Sequence, residues 1–507
     1  MMNILFTYFG SLKNIRIIWS IFFIGLFFLL IYLADFSRLK GYEIALFLLI
    51  DPLVWLSGLL TSFTVYNLLW LALLIIIPTL FLGRFFCSWI CPLGILNQWF
   101  GALLIKRSLK ENYQLNSYQK IYRVKYYILT ILLIFALLGS NQIGLFDPIV
   151  TIFRASSLAL YPVAGKIGFP IYNSIPIYLG VSLIGILFIL IIFANRFVPR
   201  FYCRTLCPLG GLLGLLSYKA PYRIRRDIDL CIDCDHCLKS CQGASDPHSE
   251  HRVTECHLCM NCISDCPTNA LEYRLPENRV LAQKPFDINR RRLLEVAMMS
   301  AIFVPTMKSA ISAESESQHN VIRPPGSINE QDFLKRCIKC SACMRVCPTN
   351  ALHPALLESG VEGLWTPIMI NKIGYCEHHC VLCSQVCPTG AIKAITVSEK
   401  VGSKSKDPIK IGTAFFDKGR CLPWAMDVEC IVCEEVCPTT PKAIWYRETT
   451  VTTRENKIKK LKRPYLDPTL CIGCGICENK CPVSDLPAVR VSSIGETRSK
   501  ENLMILK

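Results

Sequence analysis

The 507 residues are 52% apolar, and 55 basic residues against 38 acidic ones give a formal charge of +17. The length allows three or more domains, and the apolar surplus, concentrated in the first 200 residues, is high for a soluble protein. The basic excess does not point to nucleic acid: the lysines and arginines flank apolar stretches or cysteine loops, and no reader motif is present.

In chain order, four long uncharged stretches come first: Ile17–Ala34, Pro52–Gly83, Tyr126–Phe146 and Ile167–Asn195. Each reaches about 20 residues, the first only just, which predicts spanning helices near 15–34, 63–83, 126–143 and 176–195. The loop Ile95–Lys125 holds six basic residues and one acid, whereas Asp35–Asp51 holds two basic and three acidic ones. The positive-inside rule then places the N-terminus, Ile95–Lys125 and the segment after Arg196 in the cytoplasm of a multi-pass protein of the bacterial inner membrane.

The bundle contains an internal repeat. Asp51-Pro52-Leu53-Val54, a helix and Gly83-Arg84-Phe85-Phe86-Cys87-x3-Cys91-Pro92-Leu93-Gly94 match Asp147-Pro148-Ile149-Val150, a helix and Pro199-Arg200-Phe201-Tyr202-Cys203-x3-Cys207-Pro208-Leu209-Gly210. Each C-x3-C-P is half of a ferredoxin motif. Brought together, Cys87, Cys91, Cys203 and Cys207 make an extra metal centre or a redox dithiol set where electrons leave the membrane, or serve packing against the cytoplasmic clusters. Asp51 and Asp147 read as N-caps followed by Pro at the first helical position, and as candidate proton acceptors for quinol. All eight histidines lie after residue 235, so bis-histidine haem in the bundle is excluded. C-x-x-C-H, a Walker A loop and G-x-G-x-x-G are absent, which leaves no covalent haem and no nucleotide.

The remaining 24 of 28 cysteines form six [4Fe–4S] ligand sets. The first two, Cys231, Cys234, Cys237, Cys241 and Cys256, Cys259, Cys262, Cys266, fall in residues 221–284 and predict a cytoplasmic two-cluster ferredoxin of (βαβ)2 type. There the fourth cysteine crosses over, giving Cys231, Cys234, Cys237, Cys266 and Cys256, Cys259, Cys262, Cys241. The other four sets are Cys337, Cys340, Cys343, Cys347; Cys376, Cys380, Cys383, Cys387; Cys421, Cys430, Cys433, Cys437; and Cys471, Cys474, Cys477, Cys481. Each oxidised cubane carries about −2 with its thiolates, so six lower the net charge to about +5. Between the two groups, Asn289-Arg290-Arg291-Arg292-Leu293-Leu294 and the uncharged Val296–Met307 fit a twin-arginine export signal or anchor. Twelve uncharged residues make about 18 Å of helix, short for a span. Residues 314–331 read as a polar linker, and the basic stretch 451–463 as a solvated loop.

The expected organisation is a membrane α-helical bundle plus α+β ferredoxin-like [4Fe–4S] domains. Residues 1–220 form the quinol-interacting domain, 221–284 the cytoplasmic ferredoxin, 285–330 the signal and linker, and 331–507 a four-cluster periplasmic domain. With haem and nucleotide excluded, the electron source is a quinol of the membrane pool. Electrons pass through six clusters to a periplasmic reductase or cytochrome c. The competing readings are reverse flow, from a periplasmic oxidoreductase to quinone, and an electron-donating maturation factor for a metalloenzyme.

On these motifs residues 1–284 resemble the NapH type of membrane quinol dehydrogenase. The rest resembles the NapG type, most closely at Gly374-Tyr375-Cys376-x3-Cys380-x2-Cys383-x3-Cys387-Pro388-Thr389-Gly390. The resemblance implies quinol oxidation feeding a periplasmic reductase, often nitrate reductase, here with the two subunits fused.

Overall fold

The computed structural model describes residues 12–39, 41–63, 66–104, 108–167, 176, 178–249, 251–275, 288–313, 321–403, 407–452, 458–499 and 502. The predicted linker residues 314–320 and the centre of the basic stretch, 453–457, lie outside the described residues. The chain divides into two compact units, Met1–Leu33, Glu43–Leu160 and Ser182–Thr306 in one, and Ala34–Tyr42, Tyr161–Val181 and Met307–Lys507 in the other.

In the first unit α1 (Leu12–Leu33) buries Arg16, Ser20, Ile24, Phe27 and Ile31, one residue per turn, and leaves Ile18, Trp19, Ile21, Phe22 and Leu29 exposed. Among the described residues it is the one helix long and apolar enough to cross a membrane, by length and composition alone. The other three expected spans, near 63–83, 126–143 and 176–195, are shorter than predicted. The second is the 3₁₀ turn Asn67–Ala72 followed by α3 (Leu73–Leu82), interrupted by Pro78. The third is the 3₁₀ turn Lys120–Arg123 followed by α5 (Val124–Leu137), closed by the left-handed Gly139. The fourth is α7 (Val181–Phe193), ending in the 3₁₀ turn Ala194–Arg196. Apolar composition marked where these helices lie; proline, glycine and 3₁₀ ends set their lengths.

Each repeat also supplies two short helices opened by proline. α2 (Pro52–Ser62) and α6 (Pro148–Ala155) start after Asp51 and Asp147; α4 (Pro92–Leu104) and α8 (Pro208–Leu216) start after Cys91 and Cys207. Proline suits the first helical position because its missing N–H has no intrahelical partner there. α5 packs against α2 and α8.

The ferredoxin segment follows. Strands β1 (Arg223–Arg226) and β2 (Leu271–Arg274) pair antiparallel, Arg223 opposite Arg274, beside the short helices His236–Lys239 and Asn261–Ser264. It is fastened within this unit to the basic loops between the repeat helices. Arg204 donates to the carbonyls of Cys241 (3.0 Å) and Gln242 (2.8 Å), Asn116 to that of Lys239 (2.7 Å), and Tyr273 Oη to that of Leu82 (2.6 Å). Lys125 forms a buried ion pair with Glu255, whose other oxygen accepts from Tyr126 Oη at 2.9 Å.

α9 (Arg290–Ala313) is longer than the sequence implied. Its 24 residues make about 36 Å of helix and run through Pro305. Thr306 Oγ1 donates to the carbonyls of Ile302 (3.3 Å) and Phe303 (2.8 Å) beside the proline. Phe303 stacks on Phe135 of α5, ring centroids 6.4 Å apart.

The second unit is built from short elements strung between cysteine loops. α10 (Glu330–Arg336) leads into β3 (Leu352–Pro354), paired with β4 (Pro367–Met369). β5 (Thr413–Phe416) pairs with β8 (Val489–Ser492), and β6 (Ile444–Thr452) with β7 (Ile458–Leu466) as a hairpin, all antiparallel. Ala414, Ala443, Ile444 and Val489 close a core around Cys433, Cys471 and Cys477.

Glu330 ties this unit together. It accepts from Arg323 Nη2 (2.5 Å) and Nε (3.1 Å) and from Arg498 Nη1 (2.5 Å). Burial alone would raise its carboxyl, but Arg323 and then Arg498 outweigh it and hold it at about 2. Its folded-state pKa lies below the unfolded value, so its contribution is present above about pH 4.5 and fades as pH falls toward 2. Glu330→Gln is expected to destabilise the unit by about 3 kcal/mol near neutral pH, because buried Arg323 loses its carboxylate and Arg498 keeps only Glu496. Thermal unfolding of variant and parent across pH should show a gap that is constant above pH 4.5 and narrows below it.

Candidate electron-transfer centres

None of the 28 cysteines forms a disulfide. In the second unit the fourth cysteine of each motif turns away from its own three. One small cavity is lined by Cys376, Cys380 and Cys383 together with Cys347, and a second by Cys471, Cys474 and Cys477 together with Cys437. The complementary exchanges follow: Cys387 bears on Cys337, Cys340 and Cys343, and Cys481 on Cys421 and Cys433. The motifs therefore exchange ligands within two pairs, first with second and third with fourth. The ferredoxin segment repeats the arrangement, with Cys241 bearing on Cys256 and Cys262. Its two sets differ in exposure. Cys241, Cys256, Cys259 and Cys262 are buried, whereas Cys231, Cys234 and Cys266 are half-exposed.

These sets fit [4Fe–4S] groups and do not fit mononuclear zinc. A tetrahedral zinc with bonds of about 2.3 Å would hold its sulfurs about 3.8 Å apart. Among the described residues, the one trio of ligand atoms within 4.8 Å is Cys231, Asp233 and His248, and no cysteine set is that tight. Burial, followed by mutual repulsion, pushes the Cys343, Cys383 and Cys477 thiols well above their ordinary range. Such thiols ionise together only around cationic metal. Backbone N–H groups point at the crossing sulfurs: Ser245 at Cys241 (3.3 Å), Ala351 at Cys347, Ile392 at Cys387 and Ala488 at Cys481 (3.4 Å each). Such hydrogen bonds tune cluster potential.

The two C-x3-C-P motifs come together in the first unit, and all four thiols are buried. Two features draw them close. Arg84 of the first motif lies 3.5 Å from Cys87 Sγ, and its Nη2 lies 2.7 Å from where a Cβ on Gly210 would stand. Arg200 of the second motif donates to Ser88 Oγ (3.0 Å), between Cys87 and Cys91. Each arginine thus reaches into the other repeat. Both then meet His257 of the ferredoxin, Arg84 Nη2 at Nε2 (3.1 Å) and Arg200 Nη1 at Nδ1 (3.4 Å). His257 lies in the buried Cys256–Cys262 loop, and Trp89 Nε1 donates to the carbonyl of Leu258 in the same loop (2.9 Å). Burial, then Arg84 and Arg200, hold the imidazole well below its usual range, so it is neutral. The glycine of C-P-x-G is explained by space: a Cβ on Gly94 would meet the Cys87 carbonyl at 2.3 Å.

The electrostatics around these thiols are one-sided. Arg16, Arg84, Lys125, Arg200 and Arg204 are all buried, and Glu255 pairs with Lys125. Cys207 caps α8, accepting from Gly210 N at 3.2 Å, so a helix N-terminus adds positive potential at the sulfur. Buried cations need an anionic partner, and thiolates or a metal–thiolate group provide one.

Asp51 and Asp147 also meet. Both are fully buried, and each caps its helix: Asp51 accepts from Leu53 N (2.8 Å), and Asp147 from Ile149 N and Val150 N (2.9 Å each). The second carboxyl oxygen of each, Asp51 Oδ2 and Asp147 Oδ1, is buried without a hydrogen-bond donor, and the two acids interact electrostatically. Burial, then the charge of Asp147, hold Asp51 well above the usual carboxylate range; burial raises Asp147. Asp147 bears electrostatically on Cys91 and Tyr202, which places the acid pair near the thiols.

Sequence reasoning missed Arg84, Arg200, Lys125, Glu255 and His257 as parts of this site. Arg84 and Arg200 were visible as matched residues of the repeat, at the same offset before Cys87 and Cys203. Nothing local marked the other three.

The ligand exchange is testable by pairs. Cys387→Ser combined with Cys337→Ser should lose no more iron than either change alone, about four atoms, because both touch one group. Cys387→Ser combined with Cys376→Ser should lose about eight. Iron analysis of the purified variants reads the difference, and the reverse pattern would mean that each motif keeps its own fourth cysteine.

Comparison with known proteins agrees with this chemistry. A family described as a 4Fe-4S binding domain matches residues 53–110 and 179–228, the two repeats. A 4Fe-4S dicluster domain matches 336–391, and a further 4Fe-4S binding domain matches 464–484. The putative electron transport protein YccM of Escherichia coli K12 is 31% identical over 200 residues, 38% of this chain and 51% of that protein, so the chain spans about half the length of that relative. The methylamine utilization ferredoxin-type protein MauM of Methylorubrum extorquens is 29% identical over 213 residues, 41% of this chain and 90% of its own. The ferredoxin-type protein NapG of Escherichia coli K12 is 31% identical over 207 residues, 40% of this chain and 84% of its own. No solved structure matches. With its 4Fe-4S domains and this coverage of NapG, the chain is an iron–sulfur electron-transfer protein and belongs to the NapG family of ferredoxin-type proteins.

Proposed function

We propose that this protein oxidises a membrane quinol in its N-terminal bundle and delivers the electrons through six [4Fe–4S] sites to a periplasmic reductase or cytochrome. The observation that carries the reading is the convergence of Cys87, Cys91, Cys203 and Cys207 with the Asp51–Asp147 pair and the buried ferredoxin loop. Oxidising a quinol releases two electrons and two protons. The acid pair accepts one of the two protons, and the other passes to water at the membrane surface. The four thiols, beside the excess of buried cations, form an anionic metal–thiolate centre of the iron–sulfur class. Support comes from the 4Fe-4S binding family that matches both repeats. When bound, the [4Fe–4S] groups supply one-electron chemistry without proton uptake. Arg84 and Arg200 hold negative charge on the sulfurs, and neutral His257 seats the Cys256–Cys262 loop against them.

The bundle reading rests on exposed apolar side chains. Leu74, Ile77, Phe81, Ile186, Ile189, Leu190 and Phe193 stand open on α3 and α7, a belt that lipid would cover even though these helices are short. Two features support a periplasmic side for the C-terminal sites. The segment Tyr161–Val181, placed outside by the positive-inside rule, belongs to the second unit: Leu179 N donates to His353 Nδ1 (3.3 Å), and Arg345 lies over the Tyr161 ring. α9 opens with Arg290, Arg291 and Arg292, continues through the uncharged Val296–Met307, and fits a twin-arginine signal. We accordingly assign the four C-terminal sets to the periplasm.

Replacing Cys87 and Cys203 with Ser, singly and together, should leave cubane absorbance intact. Quinol-driven cluster reduction should slow tenfold or more, about 1.4 kcal/mol in the barrier. The double change should cost little more than either single one, as for groups that act as a unit. Unchanged rates would make the thiols structural. For the side of the C-terminal sites, a folding-sensitive reporter fused after Lys507 should be exported, and changing Arg290, Arg291 and Arg292 to Lys should retain it inside. A reporter that stays in the cytoplasm with the native arginines overturns the assignment.

A further inference from the structure

The four C-terminal ligand sets do not lie in space in the order of the chain. We infer that they run first, second, fourth, third, so that the set containing Cys430 is the terminal one. This inference rests on the reading of the sets as an electron path, and it concerns where their ligands stand. The ligand exchange gives two pairs, first with second and third with fourth, and leaves open which members of the two pairs touch.

The contact between the pairs is made by the second and fourth motifs. Cys376 N donates to the carbonyl of Cys474 at 2.8 Å, joining the two cysteine loops through their backbones. Around that bond Asn371 Nδ2 donates to Glu478 Oε2 (3.3 Å), Asn479 Nδ2 to the Asn371 carbonyl (3.2 Å), and Lys372 Nζ to the Asp485 carbonyl (2.7 Å). The fit is tight enough to demand glycine: Gly475 has φ +79°, and a Cβ there would stand 2.3 Å from Asn371 Oδ1. Cys376 bears electrostatically on Cys474 as well as on its own set.

The two ends have different surroundings. Beside the first set, Tyr178 Oη donates to the Met344 carbonyl (3.4 Å), between Cys343 and Cys347, and its ring meets His353 edge-on at 5.9 Å. Tyr178 thus lies over the first set. At the other end the eight-residue gap between Cys421 and Cys430 packs on β7, with Trp424 Nε1 donating to the Pro464 carbonyl (3.4 Å). The same gap leaves Met426 and Val428 about half exposed, at 55% and 48%, and Cys430 half-buried. The extended first gap, the widest departure from C-x2-C in the chain, therefore opens the terminal set to an outside one-electron carrier.

The test is magnetic and needs no quinol. Full-length protein is reduced with dithionite, and the spin–spin interaction between reduced clusters is read by EPR in Cys474→Ser, which removes the fourth set, and Cys430→Ser, which removes the third. Our order predicts that Cys474→Ser strands the third set as an isolated signal of about one electron spin per chain, while Cys430→Ser leaves the other three coupled with no isolated signal. Chain order predicts the opposite, and that result overturns the inference. Where one of these variants fails to assemble, Cys477→Ser and Cys433→Ser remove the same two sets and carry the same comparison. Because dithionite reduces the clusters directly, a failed quinol reaction leaves this result standing, and a wrong order leaves the quinol reaction standing.

Discussion

The structure depends on one constraint: thiols buried side by side cannot ionise together without metal between them. Burial and mutual repulsion act on every fully buried set, pushing Cys343, Cys383 and Cys477 far from ionisation. Iron supplies the missing positive charge, so binding free energy becomes folding free energy. The second unit shows how far this goes. Its sheets have two strands each, and its cores are small and include the cysteines themselves. Exchange of the fourth cysteine ties two loops distant in sequence to one group, so each metal site also acts as a cross-link.

The four thiols of the repeat face the same problem with more positive charge around them. They are surrounded by buried cations and capped by a helix N-terminus, with the arginine of each repeat reaching into the other. Burial and mutual repulsion still push Cys91, Cys203 and Cys207 above the ordinary thiol range, with Arg200, Arg84 and Arg204 opposing the shift at Cys203, so these thiols too need metal to ionise together. The acid pair nearby has the opposite character. Burial and the neighbouring carboxyl hold Asp51 protonated, while Arg154 and two backbone N–H groups oppose the shift at Asp147. Charge-holding and proton-holding groups thus stand close together, as the proposed quinol reaction requires.

Much of this was legible in the sequence because its determinants are local. Cysteine spacing marks the ligand sets, Asp-Pro marks the caps, and the repeat marks which thiols and arginines correspond. The lengths of α3, α5, α7 and α9 were not legible: 3₁₀ ends shorten the first three, and Thr306 beside Pro305 accompanies a continuous α9. Lys125 looked like one more charge in a basic loop, yet it is buried against Glu255, 130 residues away. His257 looked like a filler residue inside a cysteine loop. The junction of Cys376 with Cys474 has no signature in either motif, because it depends on backbone fit between loops nearly a hundred residues apart.

The most direct test is the metal content of the purified chain, iron and acid-labile sulfide measured against protein by amino-acid analysis. The account predicts at least 24 iron atoms per chain with matching sulfide and no stoichiometric zinc, from six complete ligand sets. Iron near 16, or zinc in place of iron, would contradict it.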